Sequence, residues 1–468
     1  MKDERRTPVT VSERVRVALR ETVGEQFVRD DAEARAAYAA DALGQGHPPD
    51  LVVIPATTNE ISAVARLCTE HCLPLVVRGA GTGYTGGAVP IRGGVVLSLE
   101  RMNRILEIDE TNLLAIVEPN VITAALQTAV ERVGLFYPPD PASLDSSSIG
   151  GNVAECAGGP RAFKYGTTKR YVLALEAVLP TGEVVHTGSK AVKNVVGYDL
   201  TQLLVGSEGT LAIITKVTLR LIPKPPARAT LSAAFAGVRG AVDAVTSLIA
   251  RRVVPAAVEL VDGESLRAVE ASLGRAVVPP GAAAMLIVEC DGMQAAVDEE
   301  IDRVSAACVA AGATEIRRAA TEGEREALWR VRRELSIALR ATGLLKINHD
   351  VVVPRGRVPQ LFDAVEELSR RYRLRVASFG HAGDGNIHVN LMVNRDDVGE
   401  LQRAREAERR LFEQVVAMEG SISGEHGIGF AKAPYLGIEL SPEEIALMKR
   451  VKAAFDPAGI LNPGKIFP

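Results

Sequence analysis

At 468 residues the chain is too long for one ordinary hydrophobic core, so two domains are expected. A net charge of −4 with both signs interspersed leaves no phosphate-tracking stripe and no polybasic patch, which argues against nucleic acid as a partner. Five cysteines, an odd number without a Cys-x-x-Cys pair, argue against a disulfide framework and against an iron–sulfur cluster held by this chain.

Met1-Lys2-Asp3-Glu4-Arg5-Arg6 leads into a charged helix predicted over Val9–Glu21, and no apolar run approaches the length of a bilayer span. A cytoplasmic protein is expected, peripheral to a membrane only through a partner. A second helix, Asp31–Ala40, ends before His47-Pro48-Pro49. Strand Leu51–Ile54, helix Thr57–Cys72 and strand Pro74–Val77 then open an α/β layer. Cys68 and Cys72, one helical turn apart, are expected to be buried thiols.

In the next stretch, Arg78-Gly79-Ala80-Gly81-Thr82-Gly83-Tyr84-Thr85-Gly86-Gly87, Gly81–Gly86 satisfies the Gly-x-Gly-x-x-Gly spacing of a dinucleotide fingerprint. That fingerprint needs a helix to begin inside it. Gly86, Gly87, Pro90, Gly93 and Gly94 forbid one, so Glu100 is not a ribose acid. The stretch reads as a glycine loop whose backbone N–H groups form an anion-binding nest. Strands Val95–Leu99 and Leu113–Pro119 and helix Val121–Val133 follow. The small-residue run Ser146–Gly159 admits close backbone approach to an extended ligand. A hairpin over Val172–Pro180 and Val184–His186, helix Asp199–Val205 and strand Leu211–Leu221 lead to the linker Pro223-Lys224-Pro225-Pro226.

Beyond the linker, strands at Thr230–Phe235, Val258–Val261, Ala283–Cys290 and Thr314–Arg317 alternate with helices at Val238–Arg252, Glu264–Leu273, Gln294–Ala311 and Glu322–Ala341. That pattern predicts a cap sheet with helices on one face. The expected organisation is a helical segment over 1–46, a first domain over 47–224, a cap over 225–420 and a closing segment over 421–468. Leu374–Phe379 and Ile387–Val393 alternate with period two around Gly383, Asp384, Gly385 and Asn386, which predicts a hairpin. Folded so, His381 and His388 can converge, and Glu425 in Gly424-Glu425-His426-Gly427 can supply a carboxylate. Two imidazoles and one acid suit a divalent metal with an open position, although a pair of histidines near a polar turn is by itself more often structural.

From about Asp50 to Phe467 these residues resemble the FAD-linked 2-hydroxyacid dehydrogenases of the vanillyl-alcohol oxidase superfamily, the group of D-lactate dehydrogenase, D-2-hydroxyglutarate dehydrogenase and the glycolate oxidase D subunit. Arg78–Gly87, Pro141–Gly159, Gly206–Thr215 and Asn462-Pro463-Gly464-Lys465 are similar to the family's flavin segments, and Gly380–His388 and Gly424–Gly427 to its catalytic ones. The resemblance implies an α+β fold: a two-subdomain FAD-binding domain, an antiparallel-sheet cap and a C-terminal segment returning to the flavin site. It assigns FAD to Arg78, Gly79, Ala80, Gly81, Thr82, Gly83, Thr85, Pro141, Ser143, Gly151, Asn152, Ala157, Gly159, Glu208, Ile213, Ile214 and Asn462. With no histidine between residues 72 and 185, noncovalent FAD is expected. His381, His388 and Glu425 match the metal ligands, with zinc favoured over manganese or iron, and His426 matches the base. Arg332, with Arg333 as the alternative register, and Lys346 match the substrate-binding cations. Tyr84-Thr85 and Cys156 depart from the leucine-serine and asparagine usual in the family the chain resembles, and none of the three removes a cofactor ligand.

The implied activity is oxidation of a 2-hydroxy acid, D-lactate or glycolate, to the 2-keto acid. Electrons would leave to a quinone, a soluble carrier or an iron–sulfur partner subunit, and a homodimer is compatible with the sequence. Two rivals stay open: a non-redox flavin-dependent alkyl transferase of the same fold, and a catalytically silent flavin-binding subunit.

Overall fold

The proline-rich linker marks a change of packing partners. In the computed structural model, which describes residues 11–467, the chain divides into two units. One takes the residues up to Ala157, then Thr167–Lys224 and everything from Glu425 on; the other takes Gly158–Gly166 and Pro225–Gly424. The C-terminal segment thus rejoins the first unit at Glu425, and Gly158–Gly166 departs from the continuous run expected of the first domain. Met1–Arg6 and the start of the helix predicted from Val9 lie outside the described residues. That helix is seen as Glu13–Val23, N-capped by the Ser12 hydroxyl.

In the first unit, strands Leu51–Val53, Val95–Ser98 and Leu75–Arg78 form a parallel ladder, with Val28–Arg29 antiparallel at one edge. Helix Thr58–Glu70, capped by Thr57, lays Ile61, Val64, Ala65 and Cys68 on the apolar core of this layer. Cys68 is buried, and burial pushes its thiol up to about 12. Cys72 is not: it lies past the helix end at φ +50° and is exposed, which corrects the expectation for it. Residues 79–94 carry no helix, and φ is positive at Gly81, Gly86, Gly93 and Gly94. Glu100 accepts from the hydroxyls of Tyr38 and Ser98 at 2.5 and 3.0 Å.

A second, antiparallel sheet runs in the order Ile105–Asp109, Leu114–Val117, Ile213–Arg220, Val172–Val178, Val184–Gly188. Its first strand has no counterpart in the sequence reading. Nor does helix Ile149–Glu155, hidden in the small-residue run because two glycines mask its period; Ser148 caps it by accepting from Gly151 N–H. The tail closes this unit: Leu461 bridges Leu75, and Asn462 N–H donates to the Leu75 carbonyl at 2.8 Å.

The second unit is built on a seven-stranded sheet in the order Glu315–Arg318, Ala227–Phe235, Ala284–Gly292, Ala257–Asp262, Arg375–His381, Asn386–Val393, Leu345–Val352. Every pairing is antiparallel. Strand Leu345–Val352 and helix Val358–Tyr372 are additions to the predicted elements. Asn386–Val393 is buried at every position, so both faces of the sheet are covered and not one as expected. Helices Gly263–Leu273 and Glu322–Ala341 pack on each other and close one face, over Val261, Met285, Ile287, Ala377, Phe379 and Met392. Helices Val238–Ala250, Gln294–Ala310, Val358–Tyr372 and Val398–Ala417 form the other packing set. Among the described residues no helix is long and apolar enough to cross a membrane.

Candidate active site

Strand Leu75–Arg78 feeds directly into the glycine loop. The Arg78 guanidinium lies 5.5 Å from the Tyr38 ring centroid and donates to the Ala40 carbonyl at 2.8 Å. Gly81 has φ +70°, and a Cβ there would collide with that guanidinium. The backbone N–H groups of Gly79, Ala80, Gly81, Thr82 and Gly83 donate to no acceptor among the described residues. A run of consecutive available donors on a bare backbone is what a diphosphate requires.

Of the other residues expected along the cofactor, Pro141 and Ala157 are buried, while Ser143 is partly exposed and its carbonyl accepts from Ser146 and Ser147 N–H. Asn152 is buried and donates to Thr123 Oγ1 at 2.7 Å. Gly151 lies in the helix that follows Ser148. Gly159 belongs to the second unit. Ile213 and Ile214 open a buried strand, and the Ile213 side chain belongs to the core with Val178 and Leu461.

Glu208 and Asn462 organise the loop that carries His426. Glu208, at φ +52° and buried, accepts from Ile428 N–H at 2.8 Å and Gly429 N–H at 2.6 Å. Burial raises its carboxyl above the ordinary range despite those two donors. The Asn462 amide donates to the carbonyls of Gly87 and Glu208 at 2.9 and 2.8 Å, which ties three distant segments together. Thr85 contributes twice: its hydroxyl donates to the His426 carbonyl at 3.0 Å, and its own carbonyl accepts from Phe430 and Ala431 N–H. The Tyr84 ring stacks on the His426 imidazole with centroids 5.2 Å apart. Tyr84 and Thr85, two of the three residues that depart from the family pattern, therefore hold the loop of the expected base.

In the second unit, sheet register sets the geometry. His381 pairs with Asn386 and Phe379 with His388, so the two imidazoles fall diagonally on one face of adjacent strands. Their centroids are 5.5 Å apart and both side chains are buried. Gly424, the last residue of this unit, donates its N–H to the Asp350 carbonyl at 2.9 Å, and Glu425 follows it directly.

One residue on this face was missed in the sequence. Glu259 pairs with His381 on the neighbouring strand and is fully buried. One carboxylate oxygen lies 2.6 Å from His381 Nδ1 and the other is ion-paired to Arg332 Nε. Burial alone would raise this carboxyl, but His381 and Arg332 outweigh it and hold it at about 2. The available signal was an acid in the middle of the apolar run Ala256–Val261. Arg332 is buried with its guanidinium 4.9 Å from the Phe379 ring centroid, and its Nη2 has no partner among the described residues. Arg333, the alternative register, is exposed and paired with Glu326. Lys346 Nζ donates to Ser336 Oγ at 2.7 Å; burial, then Arg340 and Arg332, lower its ammonium to about 7.

Fold and residues together define a flavin-binding oxidoreductase of the vanillyl-alcohol oxidase type. Residues 49–188 match the FAD binding domain family, and residues 224–466 match the FAD linked oxidases, C-terminal domain. The chain is 42% identical to the glycolate oxidase subunit GlcD of Bacillus subtilis (strain 168), covering 98% of this chain and 97% of the relative. It is 37% identical to a D-lactate dehydrogenase of Anaerostipes hadrus, covering 96% and 94%. Among solved structures, p-cresol methylhydroxylase superposes with a TM-score of 0.80 over 98% of both chains at 19% identity, a likeness of fold. The chain belongs to the FAD-linked oxidases. The bare donors of the glycine loop fit the FAD pyrophosphate, and the set of two imidazoles and one carboxylate fits a divalent cation by the chemistry of its donors.

Proposed function

We propose that this protein oxidises a small 2-hydroxy acid, glycolate or D-lactate, to the 2-keto acid, with FAD held noncovalently and a divalent cation, zinc before manganese or iron, held by His381, His388 and Glu425. The observation that carries the reading is the pair of buried imidazoles, His381 and His388, 5.5 Å apart on one sheet face, with Glu259 beside them and Arg332 reaching in from the helix Glu322–Ala341. When bound, the flavin supplies a hydride acceptor at N5 and a redox-inert cation supplies a Lewis acid that lowers the pKa of a substrate hydroxyl.

The protein's own groups do the rest. Arg332 offers Nη2 to the substrate carboxylate and so orients the α-carbon. Lys346, beside Ser336, adds positive charge when protonated. His426 takes the hydroxyl proton as the α-carbon gives up its hydride, leaving the keto acid. Tyr84 and Thr85 fix the imidazole's plane and backbone for that transfer. With five free cysteines and no Cys-x-x-Cys pair, the chain would hand its electrons to a separate acceptor. The relatives named as glycolate oxidase subunits favour a partner subunit over a quinone or soluble carrier.

Anaerobic mixing of the yellow protein with a panel of hydroxy acids tests the reading. Glycolate or D-lactate should bleach the flavin band, and exhaustive chelation should slow the bleaching. A flavin that no 2-hydroxy acid reduces overturns the proposal; bleaching indifferent to chelation removes the cation from it.

A further inference from the structure

We infer that Glu259 is a positioning residue that serves the cation site and the substrate's carboxylate at once, one oxygen orienting His381 and the other orienting Arg332. The inference rests on the reading just proposed, because it takes His381 as a ligand and Arg332 as the carboxylate's partner. It starts from an accounting problem: a fully buried carboxylate must have its charge and lone pairs met inside the protein. Arg332 alone would meet the charge. The sheet nevertheless places His381 directly opposite Glu259, with Nδ1 at 2.6 Å from the second oxygen.

That bond has a chemical consequence. A carboxylate acceptor at Nδ1 keeps the proton there, so the lone pair of His381 is carried by Nε2, the nitrogen remaining for a cation. The same carboxylate takes the Nε–H of Arg332 and leaves the terminal nitrogens, of which Nη2 is buried without a partner among the described residues. A planar guanidinium gripped through Nε presents its far edge in a fixed direction, which suits bidentate capture of a carboxylate. Ligand orientation and substrate orientation therefore share one rigid group on the strand Ala257–Asp262.

The rival account makes Glu259 a mere counterion of Arg332, and a double variant separates the two. Zinc affinity is measured by competition with a chromophoric chelator on flavin-loaded wild type, Glu259→Gln, Arg332→Met and the double variant. Expected is a loss of roughly 10- to 100-fold in zinc affinity for Glu259→Gln and for the double variant, with Arg332→Met near wild type. KM for the hydroxy acid should rise in all three variants. If Glu259→Gln does not fold, the double variant, which removes both charges together, carries the comparison. Zinc affinity of the double variant equal to wild type overturns the inference and leaves the proposed function standing. Wild type that binds no zinc overturns the inference and removes zinc, though not the oxidation itself, from the proposed function.

Discussion

In the proposed reading, the glycine loop after Arg78 and the sheet face around His381 would meet the same demand, holding a charged group, with different materials. The loop uses five consecutive backbone N–H donors on residues with little or no side chain. The face would use the side chains of His381, His388 and Glu259, with Arg332 from the helix packed on it, drawn from stretches far apart in the chain. A backbone site is indifferent to which side chain is exchanged but intolerant of adding one. A side-chain site is the reverse: its scaffold tolerates substitution, and a single group carries the chemistry.

The comparison is broken most severely at Gly81. Gly81→Val puts a β-branched residue at φ +70° against the Arg78 guanidinium, a strain of about 1–3 kcal/mol at the bottom of the cradle. The purified protein should be colourless and stay so after FAD is added; a yellow variant with normal flavin per chain would show that the loop is not the cradle.

His426→Ala takes away one side chain and leaves the framework of Glu208, Asn462 and Thr85 in place. It should keep its flavin and lose roughly 10²-fold or more in the rate of anaerobic bleaching. Bleaching at full speed removes His426 as the base.

The smallest effect sharpens the side-chain half. With its ammonium lowered to about 7, Lys346 is charged in the folded protein below that pH and neutral above it. Attraction for a substrate carboxylate should therefore fade as pH rises through 7, and KM should rise by roughly fivefold, about 1 kcal/mol. The Lys346→Met variant should show a KM flat across that range. Stability runs the other way. The unfolded lysine still binds a proton between about 7 and its ordinary 10.5, so stability rises with pH across that window. The Met variant should accordingly melt higher than wild type at pH 6, and equal melting temperatures would show that the buried charge costs nothing.

Much of the first unit was legible because its determinants are local. Thr57 and Ser12 cap helices through donors three residues on, and clustered glycines exclude a helix wherever they fall. Helix Ile149–Glu155 was concealed because Gly150 and Gly151 interrupt its pattern, while the Ser148 cap and close packing sustain it. Cys72 was misread because the helix ends at Glu70, two residues short of it. In the second unit the alternation of strands and helices was plain, but the covering of both faces was not. A strand buried on both sides, such as Asn386–Val393, carries His388 and Asn390 among its apolar residues and looks half-polar in the sequence.

By itself the sequence determined where the backbone is bare, where the linker breaks, and which histidines flank a hairpin turn, since each depends on neighbours a few residues away. Only the tertiary structure decided that Glu259 stands opposite His381, 122 residues along the chain, and that Arg332 and not Arg333 turns inward to meet it. Strand order and register in an antiparallel sheet emerge from the packing of the whole unit, and no local pattern encodes which buried acid will face which imidazole.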